Sequence, residues 1–316
     1  MKVAFLFPGQ GSQKVGMGAA LAHEFPAARR VFEEADEALG FGLSRLCFEG
    51  PEEDLRLTAN TQPATLATSI AALRAFQSEC AVAPQLAAGH SLGEYSALVA
   101  AGALTLGDAL RAVRERGRLM QEACPPGRGA MAAIIGLDLA VVRDLCAKAS
   151  TDGEVAVAAN LNAPGQIVIS GDAGAVRRAL AAAKERGAGA SVELKVSAPF
   201  HCPLMQPARD GMEPVLGRLT IAPMQFGVIA NVIAEINRDS ARVKPLLLEQ
   251  ITGSVRWEES MATLAAAGIT ETIEFGAGRV LAGLMRRINR NLKVRSAEDP
   301  ASVRATIQAL TSGAGE

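Results

Sequence analysis

Apolar positions along the chain fall into two kinds of run. Val3-Ala4-Phe5-Leu6-Phe7 is apolar without interruption and stops at Pro8-Gly9, the pattern of a strand buried on both faces. Leu86 to Gly89 is a second short run, leading into His90-Ser91. Elsewhere apolar residues recur at helical spacing and predict helices near 16–40, 60–80, 93–101 and 105–122. Asn60 or Thr61 is the expected cap of the second helix, with Pro63 in its first turn. Thr105 and Asp108 resemble a capping box with aspartate in the glutamate place. Strands alternating with helices predict an α/β fold with a mostly parallel sheet.

The rhythm changes at the breaker cluster Pro125-Pro126-Gly127. The pattern then predicts strand 129–136, helix 138–149, strands 154–160 and 166–170, helix 172–186 and strand 190–196. Asn162-Ala163-Pro164-Gly165 suits a hairpin between the middle strands. The order βαββαβ is that of a ferredoxin-like unit. Residues 127–197 are therefore expected to form a small domain inserted into a large α/β domain made of 1–126 and 198–316. The large domain resumes at Ser197-Ala198-Pro199. It continues with a helix near 201–218, a strand near 226–232 and helices near 243–250 and 257–267. Strand 271–275, helix 279–290, strand 292–296 and helix 301–311 complete it. Residues 312–316 are expected to fray.

Composition narrows the function classes. Of 316 residues, 49% are hydrophobic and 21% charged, which supports a packed core. The formal net charge of -1 gives no global attraction to nucleic acid or an anionic membrane. Cys47, Cys80, Cys124, Cys146 and Cys202 are odd in number, scattered and without a C-x-x-C pair. This points to a reducing compartment and away from a disulfide framework or a metal site. The N-terminal apolar run is too short for a signal peptide, and none approaches the ~20 residues of a membrane span. A soluble cytoplasmic protein is expected.

Gly89-His90-Ser91-Leu92-Gly93 matches G-x-S-x-G between an apolar stretch and a helical one, the context in which the motif has mechanical meaning. A sharp strand-to-helix turn exposes the serine hydroxyl, and the flanking glycines let strand and helix approach. The N–H of Leu92 can then face a developing oxyanion. A helix-capping serine is the plainer alternative.

A serine nucleophile needs a base. The chain has three histidines, His23, His90 and His201. His23 ends a polar helix. The His90 side chain should point away from Ser91 and serve structure. His201 lies where a domain junction meets a helix, a usual place for a catalytic side chain. It is the best base by elimination, with a structural histidine as the alternative. Gly9-Gln10-Gly11 and Gly276-Ala277-Gly278 both follow strands, but Lys14 and Leu281 occupy the third glycine position. A dinucleotide loop is therefore not expected.

Three distant segments, Phe7-Pro8-Gly9-Gln10-Gly11-Ser12-Gln13, Gly89-His90-Ser91-Leu92-Gly93-Glu94-Tyr95 and Ser197-Ala198-Pro199-Phe200-His201, share one order and spacing. In them the chain resembles the malonyl-CoA:acyl carrier protein transacylases, acyltransferases of fatty acid and polyketide synthesis. The resemblance covers nearly the whole length. It implies a hydrolase-like large domain with an inserted ferredoxin-like one. It also implies malonyl transfer from malonyl-CoA to the phosphopantetheine thiol of acyl carrier protein through an ester on Ser91. His201 becomes base and acid, oriented by the main-chain carbonyl of Gln250. Gln10 and Leu92 become the oxyanion donors, and Arg116 the partner of the malonyl carboxylate. No bound cofactor is implied, because coenzyme A enters as substrate, and a monomer is expected.

Helical geometry bears on Arg116 separately. At about 100° per residue, Leu106, Ala109, Leu110, Val113, Gly117 and Met120 form one stripe, and Arg116 lies roughly 70° from its centre, nearer than Arg111, Arg114 or Arg118. The alternative is an intrahelical partner for Glu115 or Glu122. Leu92 and Phe200 fit a pattern that accompanies malonyl selection in related domains, and Phe200 leaves less room for a 2-methyl branch. Packing at the junction is the alternative for Phe200. Arg286, Arg287 and Arg290, with Lys293 and Arg295, form a basic cluster suited to an acidic carrier protein, or a solvated helix face. Two other readings remain: a discrete acyltransferase of polyketide synthesis, and a serine hydrolase of thioesters or esters.

Overall fold

The computed structural model describes residues 2–151, 153–194, 196 and 198–312. Two sheets carry it. The larger contains Val3–Phe7 (β1), Leu86–Gly89 (β2), Gly227–Ala230 (β7), Glu235–Asn237 (β8), Glu271–Phe275 (β9) and Lys293–Ala297 (β10), in the order β10-β9-β1-β2-β7-β8. All neighbours pair parallel except β7 and β8. The smaller contains Gly129–Ile135 (β3), Ala156–Ala163 (β4), Gln166–Asp172 (β5) and Ala190–Glu193 (β6), all antiparallel, in the order β4-β5-β3-β6. With one helix after β3 and one after β5, this is the expected βαββαβ unit.

β1 shows why the large sheet is central. Val3, Phe5 and Phe7 join the core on one face, and Ala4 and Leu6 the core on the other. Phe5 meets Phe76 and Phe275 edge-on, with ring centroids 6.2 and 4.9 Å away. Trp257, Met261 and Leu264 cover the opposite face. The small sheet packs its own two helices around Ile134, Val142, Ile169 and Val176. It is also tied to the large unit. Leu161 donates its N–H to the Val255 carbonyl at 2.9 Å, and Val255 donates to Ala159 at 2.8 Å. That pairing covers the free edge of β4, which would otherwise offer unpaired backbone groups.

Several local expectations needed correction. The helix expected near 16–40 is two, Ala19–Glu24 and Pro26–Leu39, broken at Phe25. Pro26 drives its predecessor into extended backbone (φ -109°, ψ 111°) and cannot continue the earlier hydrogen-bond ladder. Short helices Leu43–Glu49 and Glu52–Arg56 and strand β8 lie where no element was expected. The long helix begins at Thr58, with Leu57 as its cap. Thr61 instead donates its hydroxyl to the Leu55 carbonyl at 2.6 Å. Thr105 does cap its helix, accepting the Asp108 N–H at 3.1 Å. The last helix reaches Ser312. Residues 313–316 of the expected frayed tail, and Ser197 at the expected domain boundary, lie outside the described residues.

Candidate active site

β2 runs into the helix Gly93–Ala100 through His90, Ser91 and Leu92. Ser91 sits at φ 50°, a left-handed conformation that costs a non-glycine residue about 1–3 kcal/mol unless its surroundings hold it. The surroundings are tight. A Cβ on Gly89 would lie 1.9 Å from the Gly93 carbonyl carbon, and one on Gly93 would lie 2.1 Å from the Phe7 oxygen. Only glycines let β1, β2 and the helix converge here. Asn231, directly after β7, closes the turn. Its Oδ1 accepts the Ser91 N–H at 2.7 Å and its Nδ2 donates to the Gly89 carbonyl at 2.7 Å.

His201 also has positive φ, 59°. It brings Nε2 to 2.7 Å from Ser91 Oγ. On the far side of the ring, Nδ1 donates to the main-chain oxygen of Gln250 at 2.8 Å. The bond to the Gln250 carbonyl leaves Nε2 as the ring's free acceptor. Burial, and next the charge of Arg116, lower the His201 pKa to about 3. The imidazole is neutral at physiological pH and can take a proton from the hydroxyl.

Arg116 projects from the helix Leu106–Glu122 and is 1% exposed. Its Nη2 donates to Ser91 Oγ at 3.1 Å and to Gln250 Oε1 at 2.8 Å, and its Nη1 to Gln62 Oε1 at 2.9 Å. Its Nε is buried and has no hydrogen-bond partner among the described residues. Glu115 and Glu122 are bonded by Arg118 instead. Arg114 turns to Asn60 and lies over the Phe41 ring, 4.2 Å from its centroid. A buried guanidinium beside a nucleophile can hold a carboxylate on the reacting group.

Gln10, His90, Ser91, Arg116, Met131, Asn160, Asn162, Phe200 and His201 share one cleft of about 560 Å³ between the two units. Gln10 lies across the cleft from the small sheet and accepts from Gln62 Nε2 at 3.3 Å. Leu92 follows Ser91 directly, and its side chain is fully buried in the large core. Phe200 both lines the cleft and packs against Met131, Ala159 and Val168 of the small sheet. His90 packs beside Trp257, and its Nε2 stands 2.8 Å from Asn162 Oδ1. It thus serves as a tie between the units. Arg286, Arg287 and Arg290 do not join this cleft. They are exposed at the end of the helix Val280–Ile288 and beyond it, beside a separate basic groove.

Asn231, Glu94 and Gln62 were not singled out from sequence. Asn231 carried a usable signal, a polar residue at the carboxyl end of a buried parallel strand, where open α/β sheets place their sites. Gln62 is one of many polar residues along the helix Thr58–Glu79, and nothing local separates it from a surface position.

The chain matches the acyl transferase domain family over residues 4–282. It belongs to that family. This acyl transferase is 50% identical over 309 residues to the malonyl CoA-acyl carrier protein transacylase of Bacillus subtilis (strain 168), covering 98% of this chain and 97% of that one. Among solved structures, the acyl-carrier-protein S-malonyltransferase of Burkholderia pseudomallei 1710b superposes with a TM-score of 0.95 at 45% identity, over 98% of this chain and 100% of that one. A malonyl-transacylase solved in complex with a type II PKS acyl-carrier protein superposes with a TM-score of 0.95 at 43% identity, over 98% of this chain and 100% of that one. The acyl transferase thus has a mixed α/β fold with a mostly parallel sheet and a separate antiparallel one. Among its described residues, no helix is long and apolar enough to cross a membrane.

Proposed function

We propose that the chain transfers a malonyl group from malonyl-CoA to the phosphopantetheine thiol of acyl carrier protein, in the cytoplasm, as a monomer. The observation that carries the reading is the buried Arg116 guanidinium 3.1 Å from Ser91 Oγ, a cation beside the nucleophile where an acyl group with a free carboxylate would extend. The relatives' names and the serine–histidine pair support it. Residues 1–126 and 198–316 form the catalytic domain and 127–197 an inserted domain that walls the cleft.

In the first half-reaction Ser91 Oγ attacks the thioester carbon while its proton passes to His201 Nε2. The oxyanion of the tetrahedral intermediate takes hydrogen bonds from the N–H groups of Gln10 and Leu92. Collapse breaks the C–S bond, and His201 returns the proton to the leaving thiolate of coenzyme A. The carrier thiol then gives its proton to His201 and attacks the malonyl ester. The C–Oγ bond breaks and Ser91 recovers its proton. The main-chain carbonyl of Gln250 keeps the ring oriented in both halves. Coenzyme A comes and goes as part of the substrate, and the sequence of steps needs no resident cofactor or metal. Phe200 narrows the cleft against a branched acyl group.

The recipient is the carrier of fatty acid synthesis. A polyketide carrier is the second reading, favoured by the complex of a 43%-identical malonyl-transacylase with such a carrier. The carrier docks on Arg286, Arg287 and Arg290. Intact-protein mass spectrometry tests the central step. Exposure to malonyl-CoA should add one malonyl group at Ser91, and added carrier should remove it to the carrier's thiol. Loss of the group to water at the same rate with or without carrier would make the chain a hydrolase.

A further inference from the structure

Glu94 opens the helix after the nucleophile and is 3% exposed. No step above uses it. A buried carboxylate is costly unless it is hydrogen-bonded. Here one oxygen, Oε2, accepts two bonds, from the Asn231 main-chain N–H at 3.0 Å and from Gln250 Nε2 at 2.8 Å. Both partners reach the reacting residues. Asn231 holds the Ser91 N–H through its side chain. The same Gln250 Nε2 also donates to the Ser91 carbonyl at 3.0 Å.

The orientation of the Gln250 carboxamide follows from this. Burial pushes the Glu94 carboxyl up to about 7, against the hydrogen bonds from Asn231 and Gln250 and the Arg116 charge, which favour the ionised form. In that form the group can only accept, so it selects the NH2 end of the amide. The oxygen end is then left for Arg116, whose Nη2 it receives at 2.8 Å. A flipped amide would set two donors against each other at the guanidinium and two acceptors against each other at Glu94. The negative charge is also kept one amide away from the cation. Direct pairing would turn the guanidinium toward Glu94, whereas this arrangement keeps Nη2 on Ser91 Oγ, beside the nucleophile.

We propose that Glu94 is a positioning residue that acts through the Gln250 carboxamide to aim Arg116, and so sets the preference for an acyl group bearing a free carboxylate. The inference rests on the malonyl-transfer reading and adds to it a residue that never touches substrate. The Gln250 residue has two separable parts: its backbone oxygen orients His201, and its side chain relays Glu94 to Arg116.

The test is a double-mutant cycle on the full chain, reading kcat/KM for acylation by malonyl-CoA and by acetyl-CoA. Glu94→Gln keeps the shape and can keep both hydrogen bonds, but it accepts either orientation of Gln250. Gln250→Met removes the amide and leaves the main-chain acceptor of His201. Each single variant is expected to lower the malonyl-to-acetyl ratio about tenfold or more, through a raised KM for malonyl-CoA. The double variant should fall no further than either, because both act on one element. A ratio unchanged in Glu94→Gln, or additive losses in the double variant, overturns the proposal. If thermal melting shows that Glu94→Gln does not fold, Gln250→Met decides alone, and an unchanged ratio there overturns it. Wild-type protein that forms no malonyl ester would refute the functional reading itself, a result distinct from any of these.

Discussion

His201 Nδ1 donates to the main-chain oxygen of Gln250 at 2.8 Å, in the place where serine hydrolases set a carboxylate. A neutral acceptor orients the ring but gives little stabilisation to an imidazolium. The ring is buried and faces the Arg116 charge, and both effects lower its pKa, to about 3. The folded value lies below the ordinary 6.5, so the unfolded chain takes the proton first. The contribution of this residue to stability is then complete above pH 6.5 and declines as pH falls toward 3. An NMR titration of the imidazole resonances should find His201 neutral down to about pH 5. A midpoint near 6.5 would contradict the account of its surroundings.

The guanidinium of Arg116 makes a separate prediction. A hydrogen bond to a charged group is worth about 1.5–3 kcal/mol, which corresponds to roughly 10- to 100-fold in rate. Arg116→Ala should lose about that much in malonyl transfer and much less in acetyl transfer. Arg116→Lys should recover little of it, because an ammonium cannot supply the planar pair of donors. Equal losses for the two acyl groups would remove the carboxylate-pairing role.

Much of this site was legible along the chain because its parts are fixed by local rules. A buried strand and a glycine-flanked serine mark Ser91 and its turn without tertiary information; helical periodicity puts Arg116 only narrowly nearest the buried face, and the resemblance supplied its role. What was not legible is the layer beneath. Glu94, Asn231 and the side chain of Gln250 lie on three separate segments, and their meaning is their mutual distances. The histidine's orienting group could be named only through the resemblance, for a related reason. It is a backbone oxygen, and every residue carries one. The helices Leu43–Glu49 and Glu52–Arg56 were missed because five to seven residues are too few to show a period.

Gly93 allows a prediction that separates backbone geometry from chemistry. A Cβ there would meet the Phe7 oxygen at 2.1 Å, and a main-chain carbonyl in a central strand cannot yield as a flexible side chain can. Gly93→Ala should therefore destabilise the protein by about 1–3 kcal/mol, the range for overpacking, and displace Ser91. Activity should fall even at temperatures where circular dichroism shows the protein folded. Native melting temperature with native activity would show that the contact is relieved at no cost.

The basic patch sets a length that the carrier's arm must cover. The helix Val280–Ile288 begins beside the site, where a Cβ on Gly278 would lie 3.3 Å from Ser12 Cβ. It then runs back along the sheet for nine residues, about 13 Å at 1.5 Å per residue. Arg286, Arg287 and Arg290 are thus at the far end, and Lys293 and Arg295 face Glu271. A carrier seated on the three arginines must span that length with its phosphopantetheine arm. Charge reversal of all three to glutamate should raise the KM for carrier about tenfold or more. The effect should weaken as salt screens the wild-type attraction. Formation of the malonyl ester from malonyl-CoA is a separate half-reaction and should keep its rate. If the carrier KM does not change, the carrier docks elsewhere, and Arg56 on the rim of the cleft is the next cation to reverse.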